Sequence, residues 1–206
     1  MSNVGIVTLP GANVCAVSYW LKRGGVEATL VSSAEHVNGL DCLILPGVGA
    51  FDSAMSYLDQ TGLRQAVIDH TKRGGYLVGI CLGMQILFES SDEGICSGLG
   101  LIAGRVRRIP GGAYRVPNIG WRSVAGTSKP NALRPVYFFM HSYGIHSAEF
   151  AAADTCSALE TIEHNVPLVA SFRSQKLIGF QYHPEKSYVA GDHLISEILY
   201  EIQSNR

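Results

Sequence analysis

Gly79-Ile80-Cys81-Leu82-Gly83 constrains the fold more than any other stretch of this chain. An apolar run, Tyr76 to Ile80, leads straight into it, and the spacing Gly-x-Cys-x-Gly predicts a strand that turns at once into a helix beginning near Gly83. Small residues two before and two after the cysteine let strand and helix approach closely around a strained corner. The pattern predicts that the Cys81 thiol projects from the sheet edge instead of packing inside it. Its sulfur would then sit beside the first amides of the helix, whose partial positive charge favours thiolate over thiol. The Leu82 N–H follows the nucleophile and can point at an oxyanion. A lone cysteine is more often a small buried hydrophobe, but the flanking glycines favour a nucleophile.

The segments around this corner alternate. Val4 to Leu9 reads as a strand, Val14 to Lys22 as a helix stopped by Gly24-Gly25, and Ala28 to Val31 as a second strand. Cys42 to Leu45 is another strand, ending in Pro46-Gly47-Val48-Gly49. Ala54 to Leu58 and Leu63 to Lys72 then carry helical spacing up to Gly74-Gly75. Strands and helices of these lengths predict an α/β fold: a mostly parallel, doubly wound sheet flanked by helices, with binding sites at the carboxyl ends of its strands. Gly49 and Cys81 both fall at such ends. Further on, glycines and prolines are scattered from Gly94 to Pro135. Short β-rich segments follow at Arg105 to Ile109, Val136 to Met140, Leu168 to Phe172 and Leu177 to Tyr182, read as an additional smaller antiparallel or mixed sheet. Ile195 to Ile202 closes the chain as an amphipathic helix. With neither a repeat nor a low-complexity linker, residues 1–206 read as a single domain.

Composition narrows the partners. With 16 basic and 17 acidic side chains the net charge is −1, which gives no electrostatic footprint for nucleic acid or an anionic membrane. No apolar run approaches the roughly 20 residues of a membrane span, and Met1-Ser2-Asn3 lacks the basic start of a secretion signal, so a cytoplasmic location is expected. The five cysteines, Cys15, Cys42, Cys81, Cys96 and Cys156, contain no C-x-x-C pair and read as reduced thiols, with neither a disulfide framework nor a zinc site. No metal or organic cofactor is implied.

A thiol nucleophile needs a base, and of seven histidines His183 stands out. It ends an apolar strand in Phe180-Gln181-Tyr182-His183-Pro184-Glu185, and Pro184 restricts it to extended conformations. Glu185, two residues on, leaves an extended backbone on the same side and can hold one imidazole nitrogen while the other faces the thiol. The long separation in sequence does not itself bring His183 to Cys81.

Gly79-Ile80-Cys81-Leu82-Gly83-Met84-Gln85 and Gln181-Tyr182-His183-Pro184-Glu185-Lys186-Ser187 together closely resemble the class I glutamine amidotransferases. Pro46 to Phe51, Val116 to Trp121 and Tyr137 to Tyr143 extend the resemblance, in order, over nearly the whole chain. It implies a flavodoxin-like fold and a Cys81-His183-Glu185 triad that hydrolyses glutamine through a thioester, with Leu82 and the Val48-Gly49 turn supplying backbone amides to the oxyanion. It also implies that Gly49, Gln85, His141, Ser142 and Tyr143 hold the amino-acid end of glutamine. The partner it implies is a synthase that receives the ammonia, the nearest match being a (β/α)8-barrel cyclase that makes imidazole glycerol phosphate in histidine synthesis. Asn13, Trp121 and Lys186 match positions facing that cyclase. Asn118 and Arg122 depart from the family's usual His and Asn in the expected contact region. They leave open a second synthase, such as one amidating sugars in surface-polysaccharide pathways. The cluster Arg105, Arg107, Arg108, Arg115 and Arg122 reads as a solvated strand face or as a match to an acidic partner rim.

Overall fold

The computed structural model describes residues 2–126, 135–150 and 156–205; the part of the turn-rich stretch that falls on 127–134 lies outside the described residues. The first half runs β1 (Val4–Val7), α1 (Val14–Arg23), β2 (Thr29–Val31), β3 (Cys42–Gly47), α2 (Phe51–Gln60), α3 (Leu63–Lys72), β4 (Tyr76–Cys81) and α4 (Leu82–Gln85). Next come β5 (Phe88–Ser91), β6 (Ile102–Arg108), β7 (Asn118–Ser123), β8 (Ala125–Gly126), β9 (Val136–His141) and β10 (Tyr143–Gly144). The chain closes with β11 (Ala158–His164), β12 (Val166–Ser174), β13 (Leu177–Phe180) and α5 (Tyr188–Ser204).

Among the described residues the main sheet has eight strands in the order β2-β1-β3-β4-β13-β12-β11-β8. The run from β2 to β13 is parallel, and the remainder is antiparallel. Strands β1, β3 and β4 are buried along their whole length, as expected where both faces of a parallel sheet are covered. One face receives Trp20 and Leu21 of α1 with Ile195 and Ile198 of α5. The other receives Phe51, Met55 and Leu58 of α2 with Leu63 and Val67 of α3. Two small sheets, β10-β6-β5 and β7-β9, stand beyond it.

The doubly wound first half follows the sequence closely; the second half is reassigned. Leu177–Phe180 is not part of a smaller sheet but a parallel neighbour of β4, with Phe180 opposite Ile80. That register carries Gln181 to His183 past the same sheet end as Cys81. A short apolar strand has no pattern that tells parallel from antiparallel, so this pairing has to come from tertiary structure. Helix α5 begins at Tyr188, ahead of the expected Ile195, because Tyr188 and Val189 are exposed in its first turn and give no apolar periodicity. Among the described residues no helix is long and apolar enough to cross a membrane.

Candidate active site

Cys81 ends β4 with φ 54° and ψ −111°, a left-handed conformation that costs an L-residue energy and persists only where the surroundings fix it. The surroundings here are two glycines. A Cβ on Gly79 would lie 2.6 Å from the Gly83 carbonyl oxygen, and one on Gly83 would run into the carbonyl oxygen of Leu45 in β3. The expected corner is therefore present, with two corrections. Cys81 lies on a central strand and is only 5% exposed, so the thiol opens into a cavity and does not project from a sheet edge. The helix that follows spans only Leu82–Gln85, too short to build up a macrodipole.

The neighbour that matters is His183. Parallel pairing of β13 with β4, plus the bond from His183 N–H to the Phe138 carbonyl at 2.8 Å, fixes the backbone that carries it. Ser187 donates to the His183 carbonyl at 2.6 Å and accepts from Phe138 N–H at 3.1 Å, locking the turn. His183 Nδ1 donates to Glu185 Oε1 at 2.8 Å, and both side chains are 3% exposed. Nε2 has no partner at hydrogen-bonding distance, yet Cys81 is close enough to act on the ring. Burial alone would lower the His183 pKa; the nearby Cys81 together with the hydrogen bond and charge of Glu185 outweighs it and raises the value to about 9. The geometry thus brings together a buried thiol, an imidazole and the carboxylate that holds it.

A cavity of about 250 Å³ opens on the Cys81 side, lined by Val48, Gly49, Leu82, Gln85, Met140 and the His141-Ser142-Tyr143 segment, among others. All the residues expected to hold glutamine therefore meet. Gln85 spends both amide protons on the Tyr143 carbonyl (2.9 Å) and Gln181 Oε1 (3.1 Å), leaving its own carbonyl oxygen as the polar group for a ligand. His141 plays a different part from the one its motif implies. Its Nδ1 donates to the Tyr143 carbonyl at 2.8 Å, and its Nε2 takes the Asn118 amide at 3.0 Å. Burial pushes its pKa down to about 4. Both nitrogens are engaged and the ring is neutral, so His141 shapes the wall without offering a charge.

Glu93 was not singled out in the sequence. It lines the cavity, accepts from Phe51 N–H at 3.0 Å, and is pushed above the usual carboxylate range, mainly by burial and then by the charge of Asp52. Its sequence signal, an acid in a run of polar residues after β5, is that of a surface loop. Gln181 was also passed over; it is fully buried and its Nε2 lies 3.9 Å from Cys81 Sγ.

Two main-chain N–H groups near Cys81 are without internal acceptors among the described residues. Leu82 N–H belongs to the first turn of α4, where helix geometry offers no internal acceptor. Gly49, at φ 129°, has an N–H with no hydrogen-bond partner among the described residues. The Val48 carbonyl is turned toward Gly11, where a Cβ would come within 2.9 Å of it, so the Gly49 N–H of the same planar peptide points away from that loop.

On the other side of Val48 and Met140 lies a second cavity of about 400 Å³, lined by His183, Glu185, Asn13 and Lys186. Asn13 caps α1 by accepting from Ala16 N–H at 3.1 Å. Trp121 is 43% exposed, stacks on Tyr188 at 5.5 Å and meets Phe138 edge-on, while Lys186 Nζ sits 5.9 Å above the Phe138 ring. Of the three expected interface residues, Asn13 and Lys186 line this cavity, and Trp121 meets Lys186 only across the Phe138 ring. Asn118 does not: it is fully buried against His141 and is no contact residue. The arginines do not form one basic patch. Arg105 and Arg107 pair with Asp92 and Glu149, and Arg122 donates to the Trp121 carbonyl.

A cysteine on a strand-end corner of a doubly wound sheet, close to a strand-end His-x-Glu, defines a class. The class-I glutamine amidotransferase model matches residues 17–201, and the chain belongs to that family. It is similar to imidazole glycerol phosphate synthase subunit HisH of Prochlorococcus marinus, at 35% identity covering 100% of both chains. It is likewise similar to HisH of Xylella fastidiosa, at 36% identity over 97% of this chain and 98% of the relative. A crystal structure of a glutamine amidotransferase shares the fold with TM-score 0.73 at 20% identity, covering 97% of this chain and 98% of that one. PurLQS of Thermotoga maritima does so with TM-score 0.70 at 18% identity, covering 98% of this chain and 100% of that one.

Proposed function

We propose that this chain, as a single amidotransferase unit, is the glutaminase subunit of imidazole glycerol phosphate synthase. In this reading it hydrolyses glutamine to glutamate in the cytoplasm and hands ammonia to a (β/α)8-barrel cyclase. The observation that carries the reading is the His183 ring, held by Glu185 at 2.8 Å and close enough to Cys81 to be acted on by it, with Cys81 opening on a cavity of amino-acid size. The full-length similarity to HisH subunits favours this synthase over a sugar-amidating one. Asn118 no longer argues for another partner, because it is buried.

In the proposed mechanism the Cys81 thiolate attacks the side-chain amide carbon of glutamine, and the oxyanion is held by the Leu82 and Gly49 N–H groups. His183 gives its Nε2 proton to the leaving ammonia as the tetrahedral intermediate collapses to a thioester. It then takes a proton from the attacking water, and a second collapse releases glutamate and restores the thiolate. Glu93 and the Gln85 carbonyl take the substrate ammonium; Asn13, Trp121 and Lys186 face the cyclase.

Mixing the chain with the cyclase and its phosphorylated ribulosyl substrate should raise glutamate release strongly. Stimulation only by a different synthase would remove the histidine-pathway assignment while keeping the glutaminase.

The raised His183 pKa gives a prediction with a definite sign. Imidazolium is the acid for ammonia, so kcat should hold through neutral pH and fall as pH rises through about 9. The same proton stabilises the fold below the unfolded histidine value of 6.5, and that contribution is lost between 6.5 and about 9. Glu185→Gln should move the basic limb of the kcat profile to lower pH; an unmoved limb would assign it to another group.

A further inference from the structure

One wall of the glutamine cavity is not built from the parallel sheet. Pro117 ends the connection from β6 to β7, whose residues 110–115 are exposed, and Ile119 follows at the start of β7. Among the described residues, the main chain of 110–117 makes no hydrogen bond to any other main chain. Its hydrogen bonds among the described residues go to two adjacent side chains at the distant β11–β12 turn. Asn165 Nδ2 donates to the carbonyls of Pro110 at 2.9 Å and Tyr114 at 2.8 Å, and its Oδ1 accepts from Tyr114 N–H at 2.7 Å. His164 Nε2 donates to the Arg115 carbonyl at 2.9 Å, and its ring stacks on Tyr114 at 5.2 Å.

Asn165 also occupies the single position between β11 and β12, with φ 65°. Glycine serves such a turn at lower conformational cost. The turn alone therefore does not call for this side chain; the three bonds across to the loop do. We propose that Asn165, supported by His164, is a positioning residue for glutamine binding: it clamps residues 110–115 and so sets where Pro117 closes the cavity. The proposal rests on the glutaminase reading and adds a specificity wall built by a turn that touches no substrate.

Asn165→Gly keeps the left-handed turn and removes the clamp. Glutamine hydrolysis by the full chain with the cyclase should show KM raised about tenfold, consistent with losing three hydrogen bonds of modest net worth, with kcat within about twofold and the pH profile unchanged. Asn165→Asp should raise KM at least as much, since a carboxylate would face the carbonyls of Pro110 and Tyr114. Amide exchange in peptides covering 110–117 should quicken in both variants, with the thermal midpoint near that of the wild type. Unchanged KM together with unchanged exchange overturns the proposal, as does a loss confined to kcat. If the wild type releases no glutamate, the glutaminase reading fails, while the exchange measurement still decides whether Asn165 holds the loop.

Discussion

Replacing Cys81 by alanine should abolish glutamate release, lowering turnover by at least about four orders of magnitude, the scale seen when a catalytic nucleophile is removed. The size follows from the site's composition. Ser142 lines the cavity, but the imidazole bearing the raised pKa is tied to Cys81 and Glu185, so no second nucleophile has a base. Glutamine binding should survive, because Gln85, Glu93 and the His141 to Tyr143 wall are held by bonds that do not involve the thiol. The fold should survive as well. Cys81 Sγ makes only long contacts, 3.5 Å to the Met140 carbonyl and 3.9 Å from Gln181 Nε2, and alanine inherits the same backbone strain. Labelling by a glutamine-like electrophile should disappear with turnover, leaving the glutamine dissociation constant within a few-fold of wild type. Glutamate release above about one per cent of wild type would remove Cys81 from the mechanism.

What could be read from the sequence was whatever is encoded locally. The Gly79-Cys81-Gly83 spacing is a steric requirement of one corner, and His183-Pro184-Glu185 marks one strand end, so both were visible as short patterns. The backbone, however, is extended only at His183 and turns into a 3₁₀ helix over Pro184–Lys186, which brings Glu185 back to the ring. The parallel helices and strands up to β4 were equally legible, because buried parallel strands are continuous apolar runs separated by glycine stops. What stayed hidden depends on residues distant in sequence. The parallel pairing of β13 with β4, which delivers His183 to Cys81, has no local signature. Nor does the burial of Asn118 against His141: a short polar residue before an exposed Trp121 reads as surface until β7 is seen paired with β9. Glu93 has the same character, since an acid in a polar loop becomes a cavity residue only once that loop folds back onto the start of α2. The role implied for His141 shifted for a chemical reason: motif position placed it in the cavity, but its two hydrogen bonds decide which atoms it can offer.

Gly83→Ala should be among the most damaging single substitutions outside the catalytic groups, although on helix propensity alone it would stabilise by about 1 kcal/mol. The added methyl would run into the carbonyl oxygen of Leu45, which belongs to β3 and is a main-chain atom, not a movable side-chain end. Neither partner can retreat. Leu45 is fully buried and stands in register opposite Gly79, while α4 is tied to the sheet by the turn at Cys81. Overpacking a rigid core against side chains costs about 1–3 kcal/mol, and a backbone clash should reach the top of that range or exceed it, for a net loss of about 3 kcal/mol. Gly79→Ala meets the other side of the same joint, at the Gly83 carbonyl and Met84 Cα, so the double variant should lose less than the sum of the singles. Relief of the clash would have to lift Leu82 away from β3, carrying its N–H off the oxyanion position. Turnover per folded molecule should therefore fall more steeply than stability. A lower denaturant midpoint with an unchanged slope, together with glutaminase activity lost beyond the unfolded fraction, is the expected pair of results. A Gly83→Ala protein that is more stable and fully active would show that the close approach of strand and helix is not what holds Cys81 in its strained conformation.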